Sequence, residues 1–201
     1  AAASDETALV ETLCRDVDPD SLQAARAGFA RLATAWSGVE MLRLGPARED
    51  NRFERLFFWP DPRGRGLQQV QGILAAADES ATSVDSLRAK SVAVQGLLAL
   101  EFVLHGTGSE ALADPAAASG AFRCRYAAAI AGAVALTSGE IRDGWTRAGG
   151  YADLMRGAGA DDPVFRSHGE VVQDLIKAAR EQVQLVREQK LAQSIGETPE
   201  A

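Results

Sequence analysis

Hydrophobic residues recur along this chain mostly at three- and four-residue steps, which is the pattern of amphipathic helices. The clearest case predicts a helix over residues 22–44, with the start signal Asp18-Pro19-Asp20-Ser21 before it and Gly45-Pro46 at its end. A second pattern predicts a last long helix from Pro163 to about residue 194. No segment has a convincing strand pattern, so the periodicity favours an all-helical protein.

The remaining apolar segments predict further helices. They cover residues 6–14, 66–77, about 83–105, 119–148 and 151–156. Residues 47–66 form a long connection rich in arginine and aromatic residues, in which Pro60 and Pro62 exclude a regular helix. Four or five substantial helices result, which predicts an all-α fold, an up-and-down helical bundle. We expect residues 196–201 to form a frayed tail.

Composition narrows the class of protein. The chain has 201 residues and a formal net charge of -7, which suits one domain and argues against binding to nucleic acid or to anionic lipid. The richest apolar stretch, residues 91–104, is too short to cross a membrane and contains Gln95 and Glu101. The sequence therefore predicts no nucleic-acid partner and no transmembrane segment.

The first candidate for chemistry is a lone acid, Glu101, in an apolar run that extends from Val92 to Leu104. A helix that is hydrophobic on most sides is typical of a buried helix. A carboxylate in that setting is either paired or protonated, and such acids often mark functional sites. The alternative is that Glu101 pairs with an arginine of another helix and only fixes the packing.

The second candidate is the arginine-rich connection. Its distinctive residues, in chain order, are Arg43, Gly45, Pro46, Arg52, Trp59, Pro60 and Asp61. Arginine binds carboxylates in a bidentate way, so Arg43 or Arg52 is a candidate partner for Glu101, for Asp61 or for the acid group of a ligand. The alternative is that the connection covers one end of the bundle like a lid, with Trp59 as its apolar plug.

Together these two segments resemble the imelysin-like family, also described as the peptidase M75 or iron-regulated-protein group. That family has a Gly-x-His-x-x-Glu motif, which this chain matches at Gly96 and Glu101 but not at the histidine, where Leu98 stands. The resemblance covers the N-terminal half of a larger protein. It implies one helical-bundle domain at residues 1–195, and a tail or linker at residues 196–201 leading to an absent second half.

The resemblance also implies a function. We expect an exported, periplasmic protein whose signal peptide has been removed, linked to iron acquisition, with an unknown small ligand or a periplasmic iron-uptake protein as its partner. Our leading hypothesis is non-catalytic binding without a cofactor, because Leu98 removes the motif histidine. The predicted ligand-binding residues are Glu101, Gly96, Arg43, Arg52, Trp59 and Asp61.

Two other hypotheses stay open. One is a metal-binding protein or an M75-type metallopeptidase that uses iron or zinc, for which His105, four residues after Glu101, is a weak substitute ligand. The other is a structural role, in which an exposed face of the bundle meets the missing half.

Cysteine usage leaves a separate question open. Cys14 and Cys124 permit one disulfide, which is plausible in an oxidising compartment, or else two buried thiols that act as small apolar residues.

Overall fold

The computed structural model describes residues 1–195, which form helices and turns and contain no strand. The helices are α1 (Ala2–Arg15), α2 (Pro19–Ser37), α3 (Arg52–Leu56), α4 (Arg65–Ala76), α5 (Val84–Arg88), α6 (Leu97–His105), α7 (Ala118–Thr146), α8 (Tyr151–Arg156) and α9 (His168–Leu185). π-Helical turns at Val186–Leu191 connect α9 to α10 (Ala192–Ile195). The all-α prediction is confirmed. The predicted tail at residues 196–201 lies outside the described residues.

The core of the bundle forms around α7, the longest helix. α7 packs against α1, α3, α5 and α6, and α1 also packs along α2. Many residues that α7 buries are alanines, which favour the helix and let its neighbours approach closely. Larger side chains fill the remaining space, and Leu13, Leu100 and Ile130 are fully buried. None of the described helices combines the length and the apolarity needed to cross a bilayer.

A disulfide joins α1 to α7. It connects Cys14 to Cys124, whose Cα atoms are 5.5 Å apart although the residues are separated by 110 positions in sequence. Of the two alternatives for the cysteines, the bridge is the one that the structure contains.

α2 begins where the sequence predicts and ends earlier. The side chain of Asp18 accepts a hydrogen bond from the backbone of Ser21, and Pro19 occupies the first turn. The helix ends at Ser37, seven residues before the predicted end at residue 44. Residues 38–44 form turns instead of helix, and among their apolar side chains Leu44 is buried whereas Val39 is half exposed.

The helix predicted over about residues 83–105 is two separate helices, α5 and α6. Gln95, which is buried between them, donates from its amide to the carbonyl oxygens of Lys90 and Ser91, each at 3.1 Å. Its own side-chain oxygen accepts a hydrogen bond from Arg55 at 2.9 Å. These bonds satisfy polar backbone groups that a continuous helix would satisfy internally, so the chain can turn here.

The last long helix starts later than predicted, at His168 instead of Pro163. Ser167 caps it by accepting a hydrogen bond from the backbone of Glu170. The preceding loop buries Phe165 in a small apolar cluster with Ala158 and Val171, separate from the main core.

The outer face of α9 exposes large apolar side chains. Val172, Ile176 and Val183 are each more than half exposed. The hypothesis that an exposed face of the bundle meets a second half stays a prediction.

Candidate functional site

Close backbone packing fixes the start of α6, the helix that contains the motif acid. A Cβ atom placed on Gly96 would lie 2.6 Å from the carbonyl oxygen of Arg55 and 2.7 Å from that of Leu56. Only a residue without a Cβ permits this approach. Gly96, which we predicted as a ligand-binding residue, is therefore buried against the end of α3, where it positions α6.

Arginines from two neighbouring helices hold the other end of α6. Arg26 Nε donates to the carbonyl oxygen of Leu104 at 2.8 Å, and Arg123 Nε donates to that of Val103 at 2.9 Å. Arg123 Nη2 also donates to the carbonyl oxygen of Phe102 at 3.3 Å. The last carbonyls of a helix have no partner within it, so these charge-assisted hydrogen bonds fix the position of α6.

A cleft of about 390 Å³ lies between α4 and α6. Its walls are mostly apolar and include Phe58, Leu67, Val70, Leu98 and Phe102. The ionisable residues that line it are Asp61, Glu101 and His105. Small-molecule sites typically combine apolar walls with a few polar groups that orient the ligand, so this cleft is the candidate functional site.

Glu101 is one of the residues that line this cleft. It is exposed to solvent, so the prediction that it is buried is wrong. Within residues 1–195 no ion pair or hydrogen bond joins the side chain of Glu101 to another residue, and the arginine partner expected from Arg43 or Arg52 is not found there. The motif acid is thus free to interact with a ligand.

One face of α6 explains why the sequence suggested burial. Leu98, Glu101 and His105 follow one another at steps of three and four residues, share a face of the helix, and all line the cleft. The opposite face is buried in the core, where Leu97 and Leu100 lie. α6 is therefore apolar on most sides because one side faces the core and another forms the cleft wall.

His105 is the second ionisable group on this face. Its ring packs against Phe29, with 5.7 Å between the ring centroids. Partial desolvation and the positive charge of Arg26 lower the pKa of His105 below its ordinary value, and the negative charge of Glu101 opposes this shift. The imidazole is therefore mostly neutral at pH 7.

Asp61 lies across the cleft and caps α4. Its Oδ1 accepts a hydrogen bond from the backbone of Arg65 at 2.9 Å, and its Oδ2 accepts one from Gly66 at 2.7 Å. These bonds satisfy free N–H groups at the start of the helix. Asp61 and Glu101 are the predicted pocket residues that the structure brings together, and the carboxylate of Asp61 is already occupied by backbone donors.

Arg43 and Trp59, by contrast, belong to a second cluster around Glu40. Glu40 is 1% exposed, and its Oε2 accepts hydrogen bonds from Lys190 Nζ at 2.6 Å and from Gln182 Nε2 at 3.0 Å. Arg43 Nη2 lies 4.0 Å from Glu40 Oε1. The Lys190 ammonium also lies over the ring of Trp59, 5.7 Å from its centroid. This cluster attaches α9 and the π-helical turns that follow it to the rest of the bundle.

Sequence reasoning missed Glu40, although a signal was present. Glu40 is a lone acid in an apolar run, as Glu101 is, and an arginine follows it three residues later. The expected pairing of a buried acid with Arg43 does occur, but the acid is Glu40.

Arg52 belongs to a third cluster, a group of ion pairs around Glu140. Its Nη1 is 2.7 Å from Glu49 Oε2, and its Nε is 3.3 Å from Glu140 Oε2. Arg88 contacts the same Glu140 at 2.9 Å. These ion pairs connect the turn before α3 to α7, so Arg52 does not contribute to the cleft.

Glu6 is a further buried acid that the sequence did not reveal. It is 1% exposed, packs against Gly28 of α2, and neither of its side-chain oxygens has a hydrogen-bond partner. Burial raises the pKa of Glu6 to about 8, against a smaller opposing effect of Arg31. Helical periodicity places Glu6 on the face of α1 that packs against the core, and this was the one sequence signal of its burial.

The fold and the cleft define an all-α bundle protein whose candidate ligand site lies beside a motif glutamate on α6. The chain belongs to the imelysin family, because the family model of imelysin, Peptidase_M75, matches residues 1–200. The resemblance based on the arginine-aromatic and Gly-x-x-x-x-Glu segments is thereby confirmed. No curated protein and no solved structure matches the chain.

The peptidase label of the family implies a metal, and the described residues do not supply a complete set of ligands for one. Residues 1–195 contain no group of three His, Cys, Asp or Glu side chains placed to hold a metal ion. In the cleft, Glu101 and His105 are available as donors, whereas Asp61 already accepts backbone hydrogen bonds. A protein site for zinc normally has three or four protein ligands, so we derive no metal-dependent step.

Proposed function

We propose that this imelysin-family chain is a non-catalytic binding protein whose ligand occupies the cleft between α4 and α6. The observation that supports this most is the position of Leu98, which lines the cleft where the family motif has histidine, three residues before Glu101. Leucine supplies an apolar contact and no proton acceptor or metal donor. The cleft is therefore suited to holding a ligand rather than to activating water.

The proposal also covers the cellular compartment of the protein and the biological process in which it takes part. The Cys14–Cys124 disulfide supports an oxidising compartment, because disulfides rarely persist in the reducing cytosol. The family resemblance supports the periplasm and a role in iron acquisition. The partner would then be a small ligand or a periplasmic iron-uptake protein.

A ligand screen with a blocked cleft tests this function. Leu67→Trp places a large ring at the rim of the cleft, where Leu67 is 44% exposed, so the core should stay intact. Leu136→Trp is the matched control, because Leu136 is 46% exposed and lies on α7, outside the cleft. A library of small molecules would be screened against all three proteins by ligand-observed NMR.

We expect hits that bind the wild type and Leu136→Trp and lose binding to Leu67→Trp. Hits that bind all three proteins equally would show that the ligand site lies elsewhere and would contradict the proposed function.

Metal binding is the second candidate, and the shared face of Glu101 and His105 favours it. With two donors from this chain, an iron or zinc ion would need further donors from a ligand or a partner. Stoichiometric iron or zinc that survives dialysis, and that is lost in Glu101→Gln, would favour this candidate over the proposed function.

A further inference from the structure

The charged groups that line the cleft all have the same sign. Asp61 and Glu101 are carboxylates on opposite walls, and no lysine or arginine is among the described residues that line the cleft. His105 is mostly neutral at pH 7, because desolvation and the positive charge of Arg26 lower its pKa against the opposing effect of Glu101. The cleft thus favours a ligand with positive charge over one with negative charge.

Of these carboxylates, Glu101 is the one with unused hydrogen-bonding capacity. Each oxygen of Asp61 already accepts a hydrogen bond from the backbone of α4. The side chain of Glu101 makes no ion pair and no hydrogen bond within the described chain. Its two oxygens can therefore accept hydrogen bonds from a ligand that has several N–H donors.

The rest of the cleft is suited to an apolar molecule. The rings of Phe58 and Phe102 line it together with Leu67, Val70 and Leu98. Aromatic rings attract organic cations through their faces, and the aliphatic side chains favour burial of hydrocarbon. A hydrated metal ion gains from neither kind of contact, and the cleft has too few free donors to replace its water ligands.

We propose that the cleft binds an organic cation, a molecule with a protonated amine or a guanidinium attached to an apolar body. The cationic group contacts Glu101, and the apolar body lies between the rings and the aliphatic wall. This inference rests on the proposed function, since it names the ligand class of the same cleft.

Three probes of similar shape and different charge test the ligand class. They are benzylamine, which is a cation at pH 7, benzyl alcohol, which is neutral, and benzoate, which is an anion. Each would be titrated into the isotopically labelled whole chain, and dissociation constants would be taken from amide chemical shifts in α4 and α6. We expect benzylamine to bind about fivefold to tenfold more tightly than benzyl alcohol, and benzoate to bind most weakly.

Replacing a glutamate with the uncharged glutamine tests whether the carboxylate of Glu101 causes the preference for benzylamine over benzyl alcohol. Glu101→Gln should bring benzylamine to within about twofold of benzyl alcohol, because the charge is removed and the shape of the cleft is kept. Glu11→Gln is the matched control, since Glu11 is exposed on α1 and the same change in net charge should leave the preference intact.

The outcomes separate this inference from the proposed function. Equal binding of all three probes, or an amine preference that survives in Glu101→Gln, would overturn the inference, and so would a titration in which benzylamine causes no shifts in α4 and α6. The proposed function depends instead on the library hits that Leu67→Trp removes. It stands if those hits are neutral molecules and fails if no hit depends on the cleft.

Discussion

Glu6 is a carboxylic acid in the core of the bundle, and its ionisation opposes folding. Its pKa is raised from 4.5 to about 8 in the folded protein. Below pH 4.5 it is protonated in both states. Between pH 4.5 and 8 the unfolded chain releases this proton and the folded chain retains it, so the stability contributed by Glu6 falls as pH rises. The loss approaches about 1.4 kcal/mol per pH unit within this window.

Glu6→Gln should therefore be more stable than the wild type at pH 8, by about 1–3 kcal/mol, and should lose this advantage towards pH 5. Urea unfolding at several pH values between 5 and 8 measures the effect. Glu11→Gln, an exposed change on the same helix, is the control and should follow the wild type. If the free energies of unfolding of Glu6→Gln and the wild type changed with pH in parallel, Glu6 would ionise normally in the folded protein.

The lone acids show how far single residues can be predicted from the sequence. Glu101 and Glu40 both stand in apolar runs, yet the first is exposed at a cleft and the second is buried in an ion pair. The difference depends on which element packs over each acid: α9 and the π-helical turns reach Glu40 through Gln182 and Lys190. Those contacts span more than 140 residues, so no local pattern reveals them.

At the scale of elements, the shared face of α6 offers a test of the missing motif histidine. Leu98→His would place an imidazole three residues before Glu101 and seven before His105, on the face that lines the cleft. Three donors from one face approach the number that a zinc or cobalt site uses. We expect the affinity for Zn²⁺ or Co²⁺ to rise by about tenfold or more over the wild type.

Titration calorimetry with Zn²⁺, together with the visible absorption of bound Co²⁺, measures this gain. Leu67→His is the control, because it adds a histidine to the same cleft from α4, without the helical spacing to Glu101. If Leu67→His gained as much affinity as Leu98→His, the face of α6 would not be the reason for binding.

Element boundaries follow the sequence where local chemistry decides them. Asp18 and Pro19 predict the start of α2, and a glycine pair precedes α8, as expected. The break between α5 and α6 was missed because it depends on tertiary contacts: the amide of Gln95 and the approach of Gly96 to the end of α3. Helical periodicity carries no information about such contacts.

At the scale of the whole molecule, composition and periodicity were sufficient for the all-α fold and the absence of a membrane-spanning helix in residues 1–195. They did not predict where the residues of the arginine-aromatic segment lie in the folded protein. Its residues were expected to meet in one pocket, and instead Arg43, Arg52 and Asp61 lie in three separate clusters. The order of these residues along the chain gives no distance in space, because the packing of the helices decides which side chains meet.

The disulfide connects α1 to α7, the longest helix of the bundle, and its removal is a test on the whole molecule. Cys14 and Cys124 close a loop with a sequence separation of 110 residues. A cross-link over so long a loop restricts the unfolded chain, and the chain-entropy model predicts about 5 kcal/mol of stabilisation at 25 °C. The double variant Cys14→Ala/Cys124→Ala should lose a comparable amount, because alanine fits the partly buried Cys14 position and the buried Cys124 position without an unpaired polar group.

Urea unfolding of four samples decides this prediction: the wild type and the double variant, each with and without a thiol reductant. Reduction should lower the stability of the wild type and leave the double variant unchanged. The dependence of unfolding free energy on urea should also steepen once the bridge is lost, because an unrestrained unfolded chain exposes more surface. A wild type that kept its stability after complete reduction would show that packing of α1 against α7 already holds the two helices together without the bridge.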